Sequence, residues 1–141
     1  VPNWKNQGVR IVKAGEMDPN TPQTPGMNRA AAINHAMAGA NKLWAGTVTI
    51  HPDAKTGAHH HGELESVIYV VNGKARMRWG DALEYVAEAG DFIYIPPYVP
   101  HQEINASENE PIVINLDIAP VESPEPVRWV GPNHPDSEDP R

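Results

Sequence analysis

Between residues 43 and 119 the chain is a series of short runs dense in Val, Ile, Tyr, Trp and Thr. LWAGTVTI (43–50), SVIYVVNG (66–73), KARMRWG (74–80), DFIYIPP (91–97), HQEIN (101–105) and PIVINLDIA (111–119) have the composition of strands. The turn signals HPDAKTG, WGDALE, EAGD and NASENEP separate them. Many short strands at near-regular spacing predict an all-β sandwich or barrel. Asn72-Gly73 reads as a two-residue hairpin turn, since both central positions of a type I′ turn need φ > 0. Residues 29–40, RAAAINHAMAGA, pull two ways. Their alanines favour helix, but an antiparallel neighbourhood overrides propensity, and a strand is expected over Arg29–Asn34.

Prolines bound this region. They are frequent near the start (Pro2, Pro19, Pro22, Pro25) and again from Pro120 to Pro140. Three parts follow: an extended Pro-rich N-terminal arm over 1–28, a β domain over 29–119 and a Pro-rich acidic tail over 120–141. Within the tail, Val127, Trp129 and Val130 are suited to dock it on the domain or on a second subunit. At 141 residues the chain has room for one domain around one core.

The formal net charge of -7, with no basic run, disfavours a nucleic-acid partner or an anionic membrane surface. No apolar stretch approaches the length of a spanning helix. There is no cysteine, which removes disulfides, thiolate zinc sites and cysteine nucleophiles together. That absence, and the lack of an apolar signal-peptide core in VPNWKNQGVR, lead us to expect a cytoplasmic protein. Any metal must be held by nitrogen and oxygen.

Such ligands cluster in GAHHHGELES (57–66), where three of the chain's seven histidines stand in a row. On a strand, alternate side chains share a face, so His59 and His61 point one way and His60 the other. His60 is then a surface residue or one behind the ligands. A third ligand must come from elsewhere, and the best candidate lies in GDFIYIPPYVPHQEIN (90–105). There Pro96, Pro97 and Pro100 stiffen the approach to His101, as a preorganised metal shell requires.

The two stretches together resemble the motifs of the cupins. The first cupin motif places a glutamate and then a glycine after His-x-His, and His59, His61, Glu65 and Gly73 follow that order. The second runs Gly, five residues, Pro-x-Gly, two residues, His, three residues, Asn, and Gly90, Pro96, His101 and Asn105 fall at those spacings. The resemblance covers roughly residues 40 to 118. It implies a small RmlC-like cupin with a double-stranded β-helix (jelly-roll) barrel. It also implies one divalent metal held by His59, His61 and His101, often with a carboxylate.

Three departures stand out. Tyr98 replaces the glycine of the second motif, and Gly57 lies too close to His59 to be the entry glycine of the first. The carboxylate register is also off by one. Counted forward from His61 the fourth ligand is Glu65; counted back from Gly73 it is Ser66. Only one of them faces the metal unless Gly62 or a bulge resets the alternation.

Other polar residues carry paired readings. Glu103 shares the alternation face of His101, so it either projects beside the metal as an acid or base or is solvated at an edge. Tyr98, following the prolines, is the aromatic best placed to reach the barrel mouth as a catalytic residue. Arg76 and Arg78 are either exposed charge or a clamp for an anionic substrate. An all-N/O site with open positions suits Fe, Mn, Ni, Cu or Zn. The resemblance implies a metal-dependent enzyme on a small-molecule substrate, first of all a dioxygenase-like oxygenase. A non-redox decarboxylase, isomerase or lyase, or a non-catalytic module binding a ligand or the metal, are the alternatives. Barrels of this family often pair, so a homodimer is expected, with Trp129 or the N-terminal segment on the partner.

Overall fold

The computed structural model describes residues 8–80 and 83–121. Among the described residues, eight strands form two antiparallel sheets. In chain order they are β1 (Met27–Ile33), β2 (Trp44–Ile50), β3 (Glu65–Asn72), β4 (Lys74–Trp79), β5 (Leu83–Glu88), β6 (Phe92–Ile95), β7 (His101–Ile104) and β8 (Ile112–Ala119). One sheet has the order β1-β2-β8-β3-β6 and the other β5-β4-β7. A one-turn helix, α1 (His35–Ala38), follows β1.

Alternation builds the core. Along β2 the pattern Trp44, Gly46, Val48, Ile50 faces inward, and along β8 Ile112, Ile114, Leu116 and Ile118 do the same. Ile68 and Val70 of β3 join them, and Ala75, Met77 and Ala87 close the core from the smaller sheet. Burying each large aliphatic side chain stabilises the fold by about 1.5–3 kcal/mol, so these two layers hold the barrel together.

The strand expected at Arg29–Asn34 is present, shifted to Met27–Ile33. Asn34 ends it by accepting the Met37 amide hydrogen at 2.8 Å and so capping α1. On its open edge β1 is partly covered, because Asp18 exchanges two 2.8 Å backbone hydrogen bonds with Ala31.

Two expectations are corrected. WGDALE was expected as a turn, yet β5 begins at Leu83 within it. Over residues 84–88 this edge strand exposes Glu84, Tyr85, Val86 and Glu88 and buries Ala87, so that stretch lacks the alternation that marks a half-buried strand. Asn72-Gly73 does not make a hairpin. β3 pairs with β6 and β8, whereas β4 pairs with β5 and β7. Gly73, at φ 87°, carries the chain from one sheet to the other. A Cβ there would lie 2.8 Å from the Pro111 carbonyl oxygen, so the corner requires glycine on both counts. Trp129 and the rest of the C-terminal tail beyond Val121 lie outside the described residues.

Candidate metal centre

β7 supplies one histidine and fixes a second. His59 and His101 exchange both backbone hydrogen bonds, at 3.1 and 2.9 Å, so their side chains leave the same face of the sheet. One turn further, the Tyr98 amide donates to the Gly62 carbonyl at 2.8 Å. The two histidine-bearing stretches are thus zipped together by backbone, and His61 is carried in beside the pair. Ring centroids lie 4.4 Å apart for His59–His101, 5.0 Å for His59–His61 and 5.2 Å for His61–His101. One nitrogen of each ring falls within 4.8 Å of the others.

The rings are oriented as ligands need to be. His59 Nδ1 lies 2.8 Å from the Gly57 carbonyl and His101 Nδ1 lies 2.9 Å from the Val99 carbonyl. A carbonyl only accepts, so each Nδ1 carries the proton and each Nε2 keeps its lone pair. His101 Nε2 is buried without a hydrogen-bond partner. Burial, reinforced by His59, His101 and Arg29, lowers the His61 pKa to about 2. Burial also lowers that of His101, against the opposing pull of Glu103. Neutral imidazoles with inward lone pairs are what a cation requires. This donor set fits a metal ion.

The fourth position follows from β3. Ser66 lies between Ile118 of β8 and Ile95 of β6, both buried, and shares their inward face at 1% exposure. Its hydroxyl has no hydrogen-bond partner. Glu65 is exposed, and its carboxylate accepts a 2.5 Å hydrogen bond from the Tyr94 hydroxyl on the outer face. Of the two open alternatives for the fourth place, the register turns Ser66 inward and Glu65 outward. The extra residue is absorbed at Gly62 (φ 64°), in a turn closed by the Leu64 amide on the His61 carbonyl at 3.3 Å. Register is set by the pairing of β3 with β8 and β6, not by a hairpin at Asn72-Gly73.

Other residues divide between interior and surface. Glu103 is buried on the inner face of β7, with Oε1 3.8 Å from His101 Nε2, too far for a hydrogen bond. Its amide donates to the Thr56 hydroxyl at 3.0 Å, which pins this part of the strand. His60 is fully buried, and its Nδ1 accepts the Gly62 amide at 2.9 Å, so the surface reading of His60 does not hold. Tyr98 keeps a left-handed backbone (φ 60°), sits 5.8 Å from the His60 ring and is 38% exposed. Arg76 forms a 2.6 Å ion pair with Glu84 and Arg78 is exposed, so neither is an internal clamp. The interior arginine is Arg29, on the inward face of β1 with Met27 and Ala31. Sequence reading passed over it, since its alanine-rich surroundings gave no sign that its side chain turns inward.

Residues 46–119, more than half of the chain, match the family model described as a cupin domain. The chain is a cupin. Comparison with curated proteins gives no match. Among solved structures, this cupin resembles an uncharacterized conserved protein with a double-stranded β-helix domain from Klebsiella pneumoniae. The TM-score is 0.65 at 20% identity, covering 86% of this chain and 97% of that one. It also resembles the polyketide cyclase RemF from Streptomyces resistomycificus (TM-score 0.64, 22% identity, 91% and 89% covered). A third is a sugar phosphate isomerase of the cupin superfamily from Silicibacter pomeroyi (TM-score 0.66, 16% identity, 79% and 76% covered). At these identities the likeness is one of fold: the small double-stranded β-helix barrel. Among the described residues no helix is long and apolar enough to cross a membrane.

Proposed function

We propose that this cupin is a mononuclear, divalent-metal-dependent enzyme that catalyses a proton-transfer reaction, of the isomerase, lyase or cyclase kind, on a small organic molecule. The observation that carries the reading is Glu103, buried on the same inner face as His101 and 3.8 Å from its Nε2. His59, His61 and His101 would hold the ion; Ser66 leaves the fourth place without a protein carboxylate. When bound, the ion supplies Lewis-acid polarisation of a coordinated substrate oxygen. Glu103 would take a proton from a substrate carbon and return it elsewhere on the same molecule. Burial by the surrounding barrel excludes water from that transfer. Tyr98, 38% exposed and beside the His60 ring, would contact substrate at the mouth. The isomerase and cyclase descriptions of two structural neighbours support this class.

The oxygenase expected from sequence remains the second reading. It is favoured by a ligand set of nitrogens alone, which would leave positions on an iron ion open to substrate and O₂. The test is turnover, or hydrogen exchange with deuterated water, across a panel of small carbonyl acids under anaerobic conditions. Turnover without O₂ is expected, slowed by about 10²–10⁴ in Glu103→Gln. O₂ consumed in step with product would establish the oxygenase instead. Metal binding without either activity would leave a non-catalytic binding module.

We also propose that the protein acts as a cytoplasmic homodimer. The absence of cysteine supports the compartment. Val67, Val71, Phe92 and Tyr94, exposed on the outer face of β3 and the edge strand β6, support the pairing.

A further inference from the structure

The smaller sheet brings two aromatic rings to the histidine end of the interior. Residues directly opposite each other on antiparallel strands share a face. His101 and Glu103 of β7 lie opposite Trp79 and Met77 of β4, and Met77 lies opposite Tyr85 of β5. His101, Glu103 and Met77 are all buried. Trp79 and Tyr85 therefore stand on that same inner face. Opposed residues have Cα atoms about 4.5–5.5 Å apart, so the register sets Trp79 immediately beside a candidate metal ligand.

Exposure along this face is graded. Ala75 and Ala87, paired at the end away from His101, are 3% and 9% exposed. Towards His101 the cover is lost: Trp79 is only half-buried, and Tyr85 is 63% exposed. An inner-face tyrosine this open marks where the interior meets solvent. It also accounts for the missing alternation of β5, since Tyr85 is wet on the face where Ala87 is buried. The two rings are nonetheless ordered against each other. Tyr85 is the diagonal neighbour of Trp79, with ring centroids 5.1 Å apart and planes inclined by 22°. Such a stacked pair still leaves much of the tyrosine's apolar surface in water, beside the one group of histidines suited to an ion.

We infer that Trp79 and Tyr85 form an aromatic wall that holds a flat, aromatic ring of the substrate, while a polar group on that ring reaches the metal and Glu103. This inference rests on the metal reading above and names its substrate class. Aromatic pairs gain from ring geometry as well as from the area they bury, so a flat ring matches this wall better than a saturated ring or an acyclic chain. The polar groups beyond the wall fix orientation, and the wall itself discriminates between substrates that share the same reacting end.

Cobalt(II)-loaded protein provides the test, because its visible absorption reports on ligands to the ion. The probes are benzohydroxamate, cyclohexanecarbohydroxamate and acetohydroxamate, which chelate through the same two oxygens and differ only in the attached group. Benzohydroxamate should bind about tenfold or more tightly than acetohydroxamate, with the saturated ring between them. Tyr85→Ala should remove most of that preference, leaving acetohydroxamate affinity and cobalt stoichiometry unchanged. Tyr85→Phe, which keeps the ring, should retain the preference. Trp79→Leu should act as Tyr85→Ala does, and the exposed Tyr85 site keeps the test available should Trp79→Leu fail to fold. Equal binding of benzohydroxamate and acetohydroxamate would overturn the inference and leave the metal site standing. So would a saturated ring bound as tightly as the aromatic one, or a preference undiminished in Tyr85→Ala. Failure of the parent chain to bind cobalt would overturn both.

Discussion

Glu65 and Ser66 are neighbours, and which of them faces the barrel decides the charge at the metal. The register of β3 turns Ser66 in and leaves Glu65 hydrogen-bonded to Tyr94 on the outside. Glu65→Gln should therefore bind metal within about twofold of the parent in a chelator-competition titration. Even lost partners of ligands usually cost 10–100-fold, so a loss of that size would return Glu65 to the ligand set. At this scale the three histidines were legible, because a metal site demands specific residue types at spacings the backbone enforces. The choice between Glu65 and Ser66 was not legible, since it depends on where one extra residue is absorbed. Gly62 absorbs it, and a glycine followed by Glu-Leu-Glu does not declare that by itself. Arg29 was hidden for a different reason: the titratable groups whose charge it influences or feels, Glu103 and His61, are remote in sequence.

Strands with one buried face were legible as elements. Alternation along β2 and β8 repeats in the sequence what the core requires. The edge strand β5 was not, because exposure along most of its length removes the signal. Gly73 shows a third case, in which the turn residue was recognised and its role was not. Nothing local distinguishes a hairpin from a corner between sheets, since that depends on which strands β3 and β4 pair with. The corner makes a sharp demand on residue 73. At φ 87°, with a Cβ 2.8 Å from the Pro111 carbonyl oxygen, Gly73→Ala should destabilise the fold by roughly 2 kcal/mol. A lower urea midpoint at unchanged m-value would show it. A midpoint equal to that of the parent would mean the corner is not under this constraint.

Two surfaces matter for the molecule as a whole. The interior holds the histidine triplet, Glu103, Arg29 and Ser66, and the outer face of β3 and β6 exposes Val67, Val71, Phe92 and Tyr94. If that face is where two copies meet, sedimentation velocity should give a dimer for the parent and a monomer for the Phe92→Glu/Tyr94→Glu double variant. A parent that remains monomeric at high micromolar concentration would rule the dimer out. The family was readable from two motifs because both meet at one place, the His59–His101 bridge. Chemistry was less readable, because it depends on groups that only the closed barrel brings together. Every step of the account rests on an ion held by histidines, so metal content tests it most directly. Protein purified without added metal or chelator should carry about one equivalent of divalent transition metal per chain, as a single three-histidine site implies. The His61→Ala/His101→Ala double variant, shown folded by circular dichroism, should fall to background. Stoichiometric metal retained by that folded variant would contradict the account.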